Sequence, residues 1–253
     1  MDDFTPRELM IVAAARELRD GEIVFVGMRL PLLGFLLAKR THAPRALGLY
    51  ENGVIRETPA AELLYTMSDL PNITRATACG EMLMVMGLLA QGRVDVGFIG
   101  GAEVDRFGNV NTTLVRREGK SILRLPGSGG AGDIASLARR FIVLMPHERR
   151  RFPARVSYIT SPGYGEGRGW RQRVGLPPGG PAAVITDKAI LRPDPETKEL
   201  RLVSLHPGVS LEEVRASTGW DLQIADPVER TPPPTPQELR LLRSLDPEGV
   251  WTR

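Results

Sequence analysis

Gly48-Leu49-Tyr50-Glu51-Asn52-Gly53-Val54-Ile55 places a carboxylate beside an Asn-Gly pair, between two apolar runs. Asn-Gly readily supplies the positive φ angles of a tight turn, so the residue before it is held at a strand end with its side chain aimed by the backbone. Immediately upstream, Ala46-Leu47-Gly48-Leu49-Tyr50 reads as a strand and Leu32 to Arg40 as a helix. Before these, Glu22-Ile23-Val24-Phe25-Val26-Gly27 reads as a buried strand ending on glycine. Strand, helix, strand is the unit of an α/β sheet, whose ligands gather at the carboxyl ends of its strands. Glu51 follows such an end and is the candidate nucleophile. The plainer reading of the same residue is a solvated carboxylate beside a turn.

Toward the amino terminus, Thr5-Pro6-Arg7-Glu8 forms a capping box with proline at the first helical position, and Asp20-Gly21 stops that helix. Downstream, Glu81 to Leu89 reads as a helix and Val94 to Ile99 as a buried strand. Met82, Met84 and Met86 read as core filler, and Cys79 as a buried, inert thiol, because no histidine or second cysteine stands beside it. Gly100-Gly101 then opens a loop running to Asn111; the glycine pair lets backbone approach a ligand or makes a simple bend.

A second chemistry-bearing stretch is Leu125-Pro126-Gly127-Ser128-Gly129-Gly130-Ala131-Gly132-Asp133, which leads into a helix at Ile134 and a strand over Phe141 to Met145. Glycines ahead of a helix expose amides that can hold phosphate or a developing oxyanion. Gly127, Gly129 and Gly132 also fit G-x-G-x-x-G. That fingerprint belongs at the first strand-helix turn of its domain, whereas here it falls midway along the chain, after a Ser121–Leu125 segment interrupted by Arg124.

Seven glycines and Pro177-Pro178 mark 161–181 as a long irregular loop, in which Tyr164 and Trp170 argue against a mere linker. The loop faces substrate or another polypeptide of an assembly. Beyond it come a strand over Ala182 to Thr186, a hairpin with arms Ala189–Leu191 and Leu200–Val203, and helices starting at Ser210 and Thr235. The expected fold is thus an α/β domain over 1–253, a mainly parallel sheet with flanking helices, followed by a C-terminal hairpin and helices.

A chain of 253 residues can bury a sizeable core. One cysteine excludes an intramolecular disulfide framework and fits a reducing compartment; the three histidines lack metal-ligand spacing, so no metal is expected. Met1-Asp2-Asp3-Phe4 lacks the pattern of a secretory leader, and no run of about 18 apolar residues occurs, so a cytoplasmic protein is expected. All but four of the 33 basic residues are arginines, yet the net charge is only +3, and the acids are interspersed among them. Arg149-Arg150-Arg151 reads as a solvated turn, with no nucleic-acid motif beside it.

On these residues the chain resembles, over nearly its full length, the β subunit of the family I coenzyme A transferases, of the glutaconate CoA-transferase type. The markers are Tyr50-Glu51-Asn52-Gly53, Gly100 to Asn111, Gly127-Ser128-Gly129-Gly130-Ala131, and His206-Pro207-Gly208 to Gly219-Trp220. Arg56 departs from a frequent glycine and Ala131 from a frequent phenylalanine. The resemblance implies Glu51 as nucleophile, amides of Gly130 and Ala131 as oxyanion donors, and Asn52, Gly53, Gly100, Gly101, Gly127 and Gly129 as substrate or CoA contacts. It also implies coenzyme A as substrate, no permanently bound cofactor, and an α subunit completing an α2β2 or larger hetero-oligomer. Two other readings remain: a CoA-transferase-like hydrolase opening a ring of a CoA-linked steroid catabolite, and a noncatalytic subunit whose glycine loop only holds phosphate or a dinucleotide.

Overall fold

A computed structural model of the protein describes residues 4–116 and 122–252; Met1-Asp2-Asp3 and Ser121, read above, lie outside them. The chain packs as two compact units, one formed by the chain up to Phe98 with the segment from Pro233, the other by Ile99–Pro232.

The first unit comprises α1 (Pro6–Arg16), β1 (Ile23–Phe25), α2 (Leu30–Arg40), β2 (Leu47–Leu49), β3 (Val54–Arg56), α3 (Leu70–Ile73), β4 (Ala78–Cys79), α4 (Met82–Ala90), β5 (from Val96) and the returning α8 (Pro236–Leu245). Its strands lie in the order β5-β1-β2-β3-β4. β5, β1 and β2 run parallel, while β3 and β4 are antiparallel additions at the margin. α1 starts on the expected Thr5 box, in which Thr5 Oγ1 accepts from Glu8 N and the Glu8 carboxylate accepts from Thr5 N. Leu9, Met10, Ile11 and Val12 are buried, each side chain worth about 1.5–3 kcal/mol of transfer free energy. Phe35 of α2 packs closely over Gly48 of β2, where a Cβ would sit 2.8 Å from the Phe35 ring. α8 closes the unit through Leu239, Leu242 and Leu245, with Arg16–Glu238 and Arg243–Glu8 pairs both at 2.8 Å.

Two expectations fail in this unit. Cys79 is exposed, because it lies on β4 at the edge of the strand order. Met82 and Met84 are not core: on the short α4 only Val85 and Leu89 are buried, leaving Leu83 73% exposed and Met82 50% exposed.

The second unit comprises β6 (Glu103–Val104), β7 (Val110–Asn111), β8 (Leu114–Val115), β9 (Leu123–Arg124), α5 (Ala131–Leu137), β10 (Arg140–Leu144), α6 (Trp170–Arg173), β11 (Pro181–Ile185), β12 (Ala189–Pro193), β13 (Leu200–Leu205), α7 (Leu211–Ala216) and β14 (Gln223–Arg230). Its larger sheet runs β14-β13-β12-β11-β10, with β10 and β11 parallel and the expected hairpin appearing as β12–β13. The expected loop 100–111 contains the small β6–β7 hairpin. Its buried Asp105 accepts from the Phe107 and Asn109 amides and from Asn109 Nδ2, and burial still holds its carboxyl above the usual range.

The loop 161–181 is ordered by two side chains. Asn109 Oδ1 accepts from Gly163 N and Gly165 N, both at 3.0 Å. Arg171, buried on the one-turn α6, donates to the carbonyls of Ala135, Ser136, Pro162, Gly163 and Pro177. The carbonyls of Ala135 and Ser136 lie in the last turn of α5, where a cation complements the helix end.

Candidate active site

In the first unit, Tyr50 N donates to Val54 O and Gly53 N to Tyr50 O, each at 2.9 Å, closing a turn between β2 and β3. Glu51 and Asn52 hold its two central positions. Of the Asn-Gly pair only Gly53 takes positive φ, +98°, as in a type I turn followed by a glycine bulge. Gly53 O accepts from Gly80 N at 3.0 Å, and a Cβ on Gly53 would lie 2.3 Å from Gly80 O. Asn52 fixes the other side: Nδ2 donates to Met67 O at 2.7 Å and Oδ1 accepts from Val54 N at 3.3 Å. Tyr50, just past β2, is buried. Glu51 is half-buried, and its carboxylate makes no hydrogen bond or ion pair with any described residue.

Arg56 is buried on β3, and its guanidinium donates to carbonyls of Thr58, Pro59, Pro71, Asn72 and Thr74. The departure from glycine therefore ties both ends of the segment between β3 and β4 to the strand that follows Glu51.

The sequence reading missed Arg29. Val26 N donates to Leu49 O at 2.9 Å, so the chain leaves β1 beside the end of β2. Three residues on, Arg29 adopts φ 66°, ψ −123°, a region nearly reserved for glycine. Its guanidinium carbon lies 5.4 Å from the centroid of the Trp251 ring. Trp251 is fixed in turn: Nε1 donates to Leu64 O at 3.4 Å, and the amides of Val250, Trp251 and Thr252 donate to Asp246 at 2.7–2.9 Å. Burial alone would raise the Asp246 carboxyl, but these amides hold it below the usual range. No local pattern in Met28-Arg29-Leu30-Pro31 reveals the backbone angle; Pro31 announces only the helix.

The second unit holds the remaining expected positions. Ala102 N donates to Asn111 O and Gly127 N to Thr112 O, both at 2.9 Å, so the Gly100-Gly101 and Gly127 segments flank consecutive residues of one strand end. Gly127 and Gly129 take φ +100° and +47° on the way into α5. The two expected oxyanion amides differ. Ala131 N donates to Ser128 O at 3.0 Å, so that amide closes the turn; Gly130, the residue before α5, is buried and its amide has no such partner among the described residues. Gly101 is confined for a packing reason, since a Cβ would meet Val110 Cγ1 at 2.5 Å.

His206 and His147 lie in the interior of this unit. His206 Nε2 lies 2.8 Å from the Thr186 carbonyl, which can only accept, so Nε2 carries the proton and Nδ1 accepts from Thr231 Oγ1 at 2.9 Å. His147 stacks on Phe152 at 4.0 Å and contacts Thr186 and Thr218. Burial, with the Lys188 charge nearby, pushes the His147 pKa down to about 3.

A family model described as coenzyme A transferase matches residues 7–217. The chain is 40% identical to the β-type chain of the 3-oxoadipate CoA-transferase of Pseudomonas knackmussii, over 97% of this chain and 95% of that one. It is 36% identical to the corresponding chain of the glutaconate CoA-transferase of Acidaminococcus fermentans over 97% and 94%. The solved structure of the latter enzyme superposes at a TM-score of 0.93, covering 100% of this chain and 98% of that one. Similarity is lower, at 29% over 98% of both chains, to the cholesterol ring-cleaving hydrolase IpdB subunit of Mycobacterium tuberculosis. The α/β fold with flanking helices is that of the glutaconate enzyme, and the chain belongs to the coenzyme A transferase family as one of the two subunit types of such an enzyme.

Proposed function

We propose that this chain is the nucleophile-bearing β subunit of a CoA transferase that moves coenzyme A between dicarboxylic acids through a thioester on Glu51. The observation that carries the reading is the Glu51 turn: a half-buried carboxylate without a partner among the described residues, just past the carboxyl end of a parallel strand. The substrate class draws on the names of its relatives, since 3-oxoadipate and glutaconate are both dicarboxylates. Those names, which belong to two-chain enzymes, also support a partnering α subunit. So does the exposed apolar start of α4, which follows directly on the Gly80 that Gly53 packs against.

The Glu51 carboxylate attacks the thioester carbonyl of the donor, expelling CoA thiolate and leaving a mixed anhydride. The thiolate attacks the Glu51 carbonyl of that anhydride, releasing the donor acid and forming glutamyl-CoA. The acceptor carboxylate then attacks this thioester to give a second anhydride, and CoA thiolate attacks its acyl carbon, regenerating Glu51. Each addition puts negative charge on a former carbonyl oxygen, which calls for amide donors. Asn52 and Gly53 act by shaping the turn. Within the second unit, Gly100, Gly127 and Gly129 leave the backbone open to close approach by CoA, whereas Gly101 answers to its packing against Val110.

The experiment is transfer kinetics of the complex with its α partner. Glu51→Gln is expected to lower kcat at least about 1,000-fold with the fold intact. Full transfer by Glu51→Gln would contradict the assignment. Hydrolysis of a CoA thioester without transfer would favour the hydrolase reading instead.

A further inference from the structure

We propose that Arg29 is a specificity residue that receives the second carboxylate of a dicarboxylic substrate at the Glu51 site, an inference that rests on the transferase reading above. Two independent connections bring Arg29 to that site. The first is register: Phe25 pairs with Leu49 in parallel, so Arg29 and Glu51 both lie just beyond the same end of adjacent strands. The second is a strap of contacts. Asn52 Nδ2 holds Met67 O, and Leu64, three residues earlier, holds Trp251 Nε1 beneath the Arg29 guanidinium. The segment between them is only three residues long, so one short strap links the perch of Arg29 to the neighbour of Glu51.

Its place over the Trp251 ring and its lack of an acid partner among the described residues distinguish this guanidinium from those of Arg16, Arg45, Arg56 and Arg243 in the same unit. Arg56 is saturated by carbonyls, and Arg16, Arg45 and Arg243 pair with Glu238, Asp20 and Glu8. Arg29 pairs with no acid among the described residues. A cation–π contact places the guanidinium over Trp251, and no described acid occupies its N–H groups, the fork that grips a carboxylate through two parallel hydrogen bonds. A monocarboxylic substrate offers that fork nothing. A residue kept in a backbone region nearly reserved for glycine is consistent with a side chain retained for its function.

The test uses the complex with the α partner, acetyl-CoA as donor, and chain-matched acceptors: glutarate against pentanoate, adipate against hexanoate. Arg29→Gly fits the observed backbone angles, so folding is preserved, and Arg29→Lys keeps the charge without the fork. In Arg29→Gly the ratio of kcat/KM for diacid over monoacid is expected to fall about 10–100-fold, through KM of the diacid, with Arg29→Lys intermediate. An unchanged ratio overturns the proposal. So does a KM for acetyl-CoA that rises equally with every acid, which would place a CoA phosphate at Arg29. Thermal unfolding with added glutarate or adipate supplies a readout independent of turnover: either diacid should protect the wild-type complex and not Arg29→Gly. A wild-type complex that transfers CoA to no acid contradicts the transferase reading alone, and diacid protection lost in Arg29→Gly would still support Arg29. Equal protection of both proteins, or protection of neither, overturns it.

Discussion

Gly53 is held by two separate requirements, a φ of +98° and a backbone neighbour 2.3 Å from where a Cβ would stand. Gly53→Ala is therefore expected to cost at least about 2 kcal/mol, combining left-handed strain with displacement of Gly80. Denaturant midpoints of wild type and variant measure it, and a loss below about 0.5 kcal/mol would show that the turn is not pinned there. At this scale much of the site was legible. Asn-Gly after an apolar run announces a turn because the glycine requirement is local. What was not legible is the approach of Gly80, which depends on a strand pairing between segments far apart in sequence. The same holds for Ala131, whose amide is committed to Ser128 by a turn that the run of glycines permits in several forms.

At the scale of elements, α1, α7 and α8 all begin on the Ser/Thr-x-x-Glu boxes read from sequence, with both hydrogen bonds of each box present. Capping needs four consecutive residues and nothing distant, which is why it could be read. The two-residue strands β6 to β9, and β14 with its internal Pro227, are defined by partners far along the chain and left no periodic signal. Met82 and Leu83 show the converse limit: apolar sequence demands burial but does not say against what. Loop 161–181 was read as irregular, yet Arg171 binds it to the end of α5. Arg171→Ala strands five carbonyls and is expected to cost about 3 kcal/mol or more. Hydrogen exchange over 161–181 should accelerate well before that of β11; unchanged protection would mean that Asn109 alone orders the loop.

For the whole molecule, acid stability should follow the buried histidines. His147 titrates at about 3 when folded, against an ordinary value of 6.5, so the unfolded chain binds more protons between those values. Stability is therefore full above about 6.5 and falls by about 1.4 kcal/mol per pH unit below it, toward 3. His206, also lowered by burial, adds in the same direction. Urea midpoints between about pH 7.5 and 4.5 measure the slope, and His147→Gln should flatten it; an equal slope in the variant would assign acid sensitivity elsewhere. The family fold carries both transferase and hydrolase names, so the fold alone does not decide the chemistry, and the weight falls on Glu51. The direct measurement is the mass of this chain after the complex meets acyl-CoA without an acceptor acid. The account predicts a gain of one coenzyme A less water on the Glu51 peptide, discharged by hydroxylamine and absent in Glu51→Gln; an unmodified Glu51 peptide in a complex that still transfers CoA would contradict it.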